Sequence, residues 1–185
     1  PKAVTVTADN KTKVYGSDDP ALTATVDGTI NGDTVDYTLS RATGENAVDY
    51  TITPSGDEVQ GNYTVTYNPG TLTITKKSVD VTVVADNKTK VYGSDDPALT
   101  ATVNGTVGED TINYTLSREE GEDVGEYAIE VKLGENPNYE VTKTDAKLTI
   151  TPKAVTVTAD NKSKTYGEAD PALTATVDGT INGDT

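Results

Sequence analysis

The chain has 185 residues, with 15 Lys plus Arg against 30 Asp plus Glu and a formal charge of −15. That balance repels phosphate backbones and anionic lipid, so nucleic acid is not an expected partner, and no apolar run is long enough for membrane insertion of this segment. Cys, His, Met, Trp and Phe are absent, which removes disulfides, thiolate metal sites and the usual general base.

The stretch Ala8–Val26, ADNKTKVYGSDDPALTATV, opens a pattern that the rest of the chain repeats. Within it, Ala3–Ala8 alternates, with Val4, Val6 and Ala8 on one face and Thr5 and Thr7 on the other, as a half-buried strand does. Asp9-Asn10-Lys11 interrupts it and Lys13-Val14-Tyr15 resumes before Gly16. Ser17-Asp18-Asp19-Pro20 is a turn by composition, and Asp19–Leu22 is the best candidate for a single helical turn. Leu22, Ala24 and Val26 form the next alternating face, followed by turns at Asp27-Gly28 and Asn31-Gly32. Further strands are expected around Val35, Tyr37 and Leu39, around Tyr50 and Ile52, over Tyr63–Tyr67, and at Leu72 and Ile74.

Ala8–Val26 recurs unchanged at Ala85–Val103 and again, with four substitutions, at Ala159–Val177. Recurrence at this spacing is the mark of an array. The chain therefore divides into a first repeat over 1–76, a second over 77–151, and the opening two strands of a third over 152–185. With no starting Met and an unfinished third repeat, it reads as a piece of a longer protein.

The junctions change phase. Leu72 and Ile74 lie on even positions, whereas Val81, Val83 and Ala85 lie on odd ones. A shift of one residue sends side chains to the opposite face, so the chain must kink, bulge or enter a different core there. The core is lean for a repeat of this size, with Tyr as its only aromatic residue. Exchange of strands between identical neighbours is one way to supply the deficit, and 152–185 is the segment expected to swap onto repeat two.

The ordered set Ala-Asp-Asn-Lys, Tyr15-Gly16, Asp19-Pro20-Ala21-Leu22, Leu39-Ser40-Arg41 with Gly44-Glu45, Asn62-Tyr63 and Gly70–Ile74 resembles the MBG family, YGX type, of bacterial cell-surface proteins. The resemblance covers essentially the whole chain. It implies a mostly β, tandem module of large adhesins, secreted or surface-anchored and extracellular, and its family name points to mucin-binding and β-grasp-like domains. The expected fold is thus all-β or mostly β, in tandem small antiparallel domains of β-grasp-like type, with an immunoglobulin-like sandwich as the alternative.

Candidate sites are few. Tyr15, Tyr92 and Tyr166, each beside a Gly, are the candidate ligand residues, because a ring face suits the apolar face of a sugar. The competing reading is that they pin the loop through their hydroxyls. Asp18-Asp19 and Asp95-Asp96 have the oxygens calcium takes, but repeat three has Ala169 in place of Asp18, and a solvated turn is the better reading. Lys with Asn or Asp can form an intramolecular isopeptide bond, yet Lys11 and Asn10 are too close in sequence to clamp anything. No catalytic residue, metal site or cofactor is expected, and an enzyme is not. Two functions follow from the array. One is a structural stalk projecting a distal binding domain, with neighbouring repeats as its partners. The alternative is an adhesive module that binds host mucin, glycan or protein with avidity from repetition.

Overall fold

The structure, a computed structural model, describes residues 1–78, 81–181 and 183–184. Among these residues there are strands and no α-helix. Repeat one holds β1 (Lys2–Ala8), β2 (Lys11–Val14), β3 (Ala24–Asp27), β4 (Thr38–Arg41), β5 (Asp49–Ser55), β6 (Val59–Gln60), β7 (Tyr63–Asn68) and β8 (Gly70–Thr75). The expected helical turn at Asp19–Leu22 is irregular chain instead, because Ala21 and Leu22 lead directly into the alternating run of β3.

Two four-stranded sheets make up the repeat, in the orders β3-β1-β7-β6 and β2-β8-β5-β4. They have separate cores. Val4, Val6, Val35, Tyr63 and Val65 are buried in the first. Ala8, Ile52, Leu72 and Ile74 are buried in the second. The chain passes from one sheet to the other five times, and two of these crossings join strands almost directly. One crossing is the Asp9-Asn10 break between β1 and β2, and the other is Pro69 between β7 and β8. Pro69 cannot donate to a ladder, which suits a break there.

These two crossing chains lie side by side and parallel. Lys2 faces Tyr63 and Thr7 faces Asn68 in the first sheet. Lys11 faces Leu72 and Val14 faces Thr75 in the second, at the same sequence offset. The remaining pairs of repeat one, β1 with β3, β4 with β5, β5 with β8 and β6 with β7, are antiparallel. The antiparallel expectation therefore holds for these ladders, while the sheets as wholes are mixed.

The residues at the first crossing explain part of the recurring motif. Asp9 accepts hydrogen bonds from the hydroxyls of Thr23 at 2.5 Å and Thr25 at 3.0 Å, pinning the end of β1 to β3. Asn10 Oδ1 accepts the Thr71 amide at 2.8 Å, supplying an acceptor where the backbone ladder is broken. A Cβ at Gly70 would lie 2.5 Å from the Ala8 carbonyl oxygen, so the close approach of the two crossings requires Gly.

Repeat two follows the same order with β9 (Thr82–Ala85), β10 (Lys88–Val91), β11 (Ala101–Asn104), β12 (Tyr114–Arg118), β13 (Gly125–Leu133), β14 (Thr142–Thr144) and β15 (Ala146–Thr151). β10 and β15 are again parallel, with Lys88 facing Leu148 and Val91 facing Thr151. Repeat three contributes β16 (Thr156–Ala159) and β17 (Ala175–Asp178), which pair antiparallel with one another in a two-stranded sheet. Every strand of this hairpin is exposed, Val157, Leu173 and Val177 included. Among the described residues, 152–185 adds no strand to a sheet of repeat two. Its alternating Val and Thr find their partners locally at the register Val157–Val177.

By compactness the chain divides differently from its repeats. One unit comprises 1–82, 103–113 and 133–142, and the other comprises 83–102, 114–132 and 143–185. In the first, parts of repeat two close against repeat one. In the second, the hairpin of repeat three joins the remainder of repeat two.

Candidate functional site

Two constellations use the polar residues of the motif. The first lies on the second sheet of repeat one. Alternation in β2 turns Lys13 inward, where its side chain is only 5% exposed. Its Nζ reaches Asp19 Oδ1 at 2.6 Å and Glu45 Oε2 at 2.5 Å. Arg41, at the end of β4, closes the ring: its Nε donates to Asp19 Oδ2 at 2.6 Å and its Nη2 donates to Glu45. Arg41 Nη1 also donates to the carbonyls of Ala42 at 3.0 Å and Gly44 at 2.6 Å, and its guanidinium stands 5.6 Å over the Tyr50 ring. Two cations and two carboxylates thus alternate around a closed square.

Each member shifts its neighbours. Arg41 and then Lys13 hold the Asp19 carboxyl below the usual carboxylate value. Lys13 and then Arg41 do the same to Glu45. Asp19 and then Glu45 raise both Lys13 and Arg41. Gly44 carries φ +140°, and a Cβ there would meet the Tyr50 ring at 2.3 Å, so the turn joining Arg41 to Glu45 needs Gly. Repeat two rebuilds the square with Lys90, Asp96, Arg118 and Glu122, its guanidinium 5.8 Å over Tyr127. Repeat three keeps the Lys164–Asp170 pair.

The square brings a buried amine against carboxylates, the pairing from which an isopeptide bond forms. Its chemistry opposes that reaction. Amide formation needs a neutral amine and a protonated acid, whereas every shift here favours the ammonium and the carboxylates. The intact mass is expected to equal that of the unmodified sequence; a deficit of one water per repeat would overturn this reading.

The second constellation surrounds Tyr15. β2 ends at Val14, and Gly16 follows Tyr15 with φ +80°. A Cβ on Gly16 would lie 2.4 Å from Val107 Cγ2. The Tyr15 hydroxyl donates to Asp110 Oδ2 at 2.7 Å, and its ring meets that of Tyr139 edge-on with centroids 5.3 Å apart. Tyr139 is buried and donates to the same Asp110 oxygen at 2.5 Å, while its own hydroxyl accepts the Val107 amide at 3.0 Å. Nearby, Asn138 Oδ1 accepts the Ala47 amide at 2.9 Å and its Nδ2 donates to Asn46 at 3.1 Å. The Tyr-Gly loop of repeat one is therefore latched onto residues of repeat two. Burial and then Asp110 push the Tyr139 phenol up to about 12. Asp110 raises Tyr15, and the two phenols, Tyr139 first, hold Asp110 low.

Two of these contacts recur one repeat on. Tyr92 donates to Asp184 at 2.9 Å, and a Cβ on Gly93 would lie 1.8 Å from Ile181 Cδ1. Of the three candidate ligand tyrosines, Tyr15 and Tyr92 thus have their hydroxyls on aspartates of the following repeat. Tyr166 is fully exposed, at 103%, and a Cβ on Gly167 meets nothing. Repeat one presents the matching acceptor: Tyr63 donates to Asp33 at 2.5 Å and accepts the Ile30 amide at 3.3 Å, with Ile30 49% exposed.

The family profile MBG domain (YGX type) matches residues 4–73, 81–149 and 155–185. The chain belongs to this family. Comparison with curated proteins finds no match. In this MBG array, the Tyr and Gly of the YGX element are the latch, and the acids and bases around it are the square.

An open cleft of about 540 Å³ flanks the latch and is lined by Tyr15, Asp110, Asn113, Asn136, Asn138 and Tyr139 among others. Several of its polar groups already hold protein partners: Asp110 takes both phenols, and Asn138 bonds Ala47 and Asn46. Asn136 accepts the Asn113 amide at 2.8 Å and donates to the Asn113 carbonyl at 3.2 Å, as Gln60 does with Asp36 in repeat one. Asp18 and Asp95 are exposed, and among the described residues no group of three or more acidic side chains is arranged to hold a metal. No helix among them is long and apolar enough to cross a membrane.

Proposed function

We propose that this chain is a stretch of structural spacer repeats from a secreted or surface-anchored bacterial adhesin, holding a distal binding domain away from the surface. MBG repeats of this type belong to repeat regions of extracellular surface proteins, which supports the location. The observation that carries the reading is the latch. Tyr15 binds Asp110 and Tyr92 binds Asp184, so one repeat's loop engages the next repeat by the same groups at each step. Such a heterologous contact is not self-complementary, and it propagates along a chain. Neighbouring repeats are then the principal partners, and the formal charge of −15 opposes lateral association.

Catalysis has no place in this reading, since the charged groups of the squares neutralise one another. An adhesive module that used the cleft beside the latch would compete with the protein partners that Asn136, Asn138 and Asp110 already hold. A glycan array and a mucin pull-down with the 185-residue chain test the choice. No saturable binding is expected. Saturable binding that Tyr15→Ala abolishes would replace the spacer with an adhesive module.

A further inference from the structure

A spacer transmits whatever tension its two ends receive, and the topology of repeat one determines how that tension is carried. The chain enters at the start of β1 and leaves at the end of β8. β1 and β7 are hydrogen-bonded neighbours running in the same direction, and so are β2 and β8. Because the pairing is parallel, the entry point at Lys2 and the exit point at Thr75 lie at opposite ends of one continuous pair of chains. Lys2 faces Tyr63 at one end and Val14 faces Thr75 at the other, with no slip of register at the crossing. Pulling the ends apart therefore slides β1–β2 along β7–β8. It does not peel them.

We propose that repeat one is a force-bearing element in which the parallel β1–β7 and β2–β8 ladders act as a shear clamp. In shear, all bonds of a ladder share the load and must fail together. In peeling, each bond meets the load alone and they fail in turn. The β1–β7 half sits centrally, both being interior strands covered by β3 on one side and β6 on the other, whereas β2 is the edge strand beside β8. It is also pinned across its break. Asn10 bonds the Thr71 amide between the two ladders, and Thr75 donates through its hydroxyl to the Lys13 carbonyl at 3.3 Å. Repeat two has parallel pairing at the same places, at Lys77 with Tyr139 and along β10 with β15. The hairpin of repeat three, with β16 and β17 antiparallel and no strand beside them, has no clamp.

The inference deepens the spacer reading and rests on it for its biological sense, although the ladders do not depend on it. The test compares two directions of pull on the full 185-residue chain. Native Cys is absent, so introduced cysteines place the handles uniquely. One variant carries Pro1→Cys with Lys76→Cys, which loads the clamp in shear. The other carries Pro1→Cys with Asn62→Cys; the Lys2 amide bonds the Asn62 carbonyl at 2.7 Å, so both handles sit at one end of β1–β7 and the pull peels it. All three positions are exposed, and matching circular dichroism and melting curves establish that both variants are folded. In single-molecule force spectroscopy the shear pair is expected to unfold at a force severalfold above the peeling pair, in one step that lengthens the tether by roughly 210 Å, about 255 Å of extended chain less a folded span of about 45 Å. Equal forces in the two directions, or gradual extension of the shear pair without a step, would overturn the clamp. That outcome would leave the glycan and mucin result untouched, and saturable binding there would remove the spacer without altering the force difference.

Discussion

Lys13→Ala is expected to destabilise repeat one by about 2 kcal/mol, lowering its melting temperature by roughly 8–16 °C. The loss is more than one ion pair. Lys13 Nζ stands between Asp19 and Glu45, and without it two carboxylates converge on Arg41 alone. The estimate is kept below the range for fully buried pairs because both carboxylates keep access to water. The pH dependence identifies the cause. Asp19 and Glu45 have folded values below 3.8 and 4.5, so their contribution is complete at neutral pH and is lost as pH falls from about 4.5 through the lowered values. Lys13 has a folded value above 10.5, so its contribution is complete below 10.5 and is lost as pH rises beyond it. The variant should therefore lose less stability than the parent on acidification, so the gap between them narrows below pH 4. Thermal melts from pH 2.5 to 8 measure this; a gap that stays constant across the series would mean that Lys13 acts by packing and not by charge.

The square was not legible as a site in the sequence, although its signal was present. Lys13, Asp19, Arg41 and Glu45 recur together as Lys90, Asp96, Arg118 and Glu122, and each had a bland local reading as a strand residue, a turn acid or a strand end. Only the folding of β2 beside β8 and of β4 beside β5 brings those four separated positions to one place. Most strands were legible, because alternation of apolar with polar residues survives in them, as in β1, β7 and β8. β6 was not, since a two-residue strand has no period to read. Nor was the parallel partnership, which depends on pairings some sixty residues apart, whereas alternation records only which face is buried.

The phase change at the junction has a similar explanation. Leu72 and Ile74 belong to the second core of repeat one, and the chain then leaves that core altogether. The Tyr-Gly element could be picked out by its recurrence, but whether Tyr15 meets a sugar or an aspartate depends on the partner. Asp110 lies in a turn whose composition reads as solvent-facing.

Leu72→Ala is expected to cost about 3–4 kcal/mol, because Leu72 is fully buried among Ala8, Ile52 and Ile74 and its loss leaves a cavity there. The consequence depends on whether the two cores of repeat one fold together. β1 places Val4 and Val6 in the first core and Ala8 in the second, and β7 continues through Pro69 into β8. A defect at Leu72 is thus expected to travel along both crossings and melt the first sheet with the second. Side-chain methyl signals of Val65 in the first core and Ile52 in the second, followed through a urea titration, should fade at one midpoint, well below that of the parent. A variant in which Ile52 is lost while Val65 keeps its native signal would show two independent half-repeats. The continuous ladder from β1–β7 to β2–β8 would then fail as a single clamp, because its two segments could yield separately.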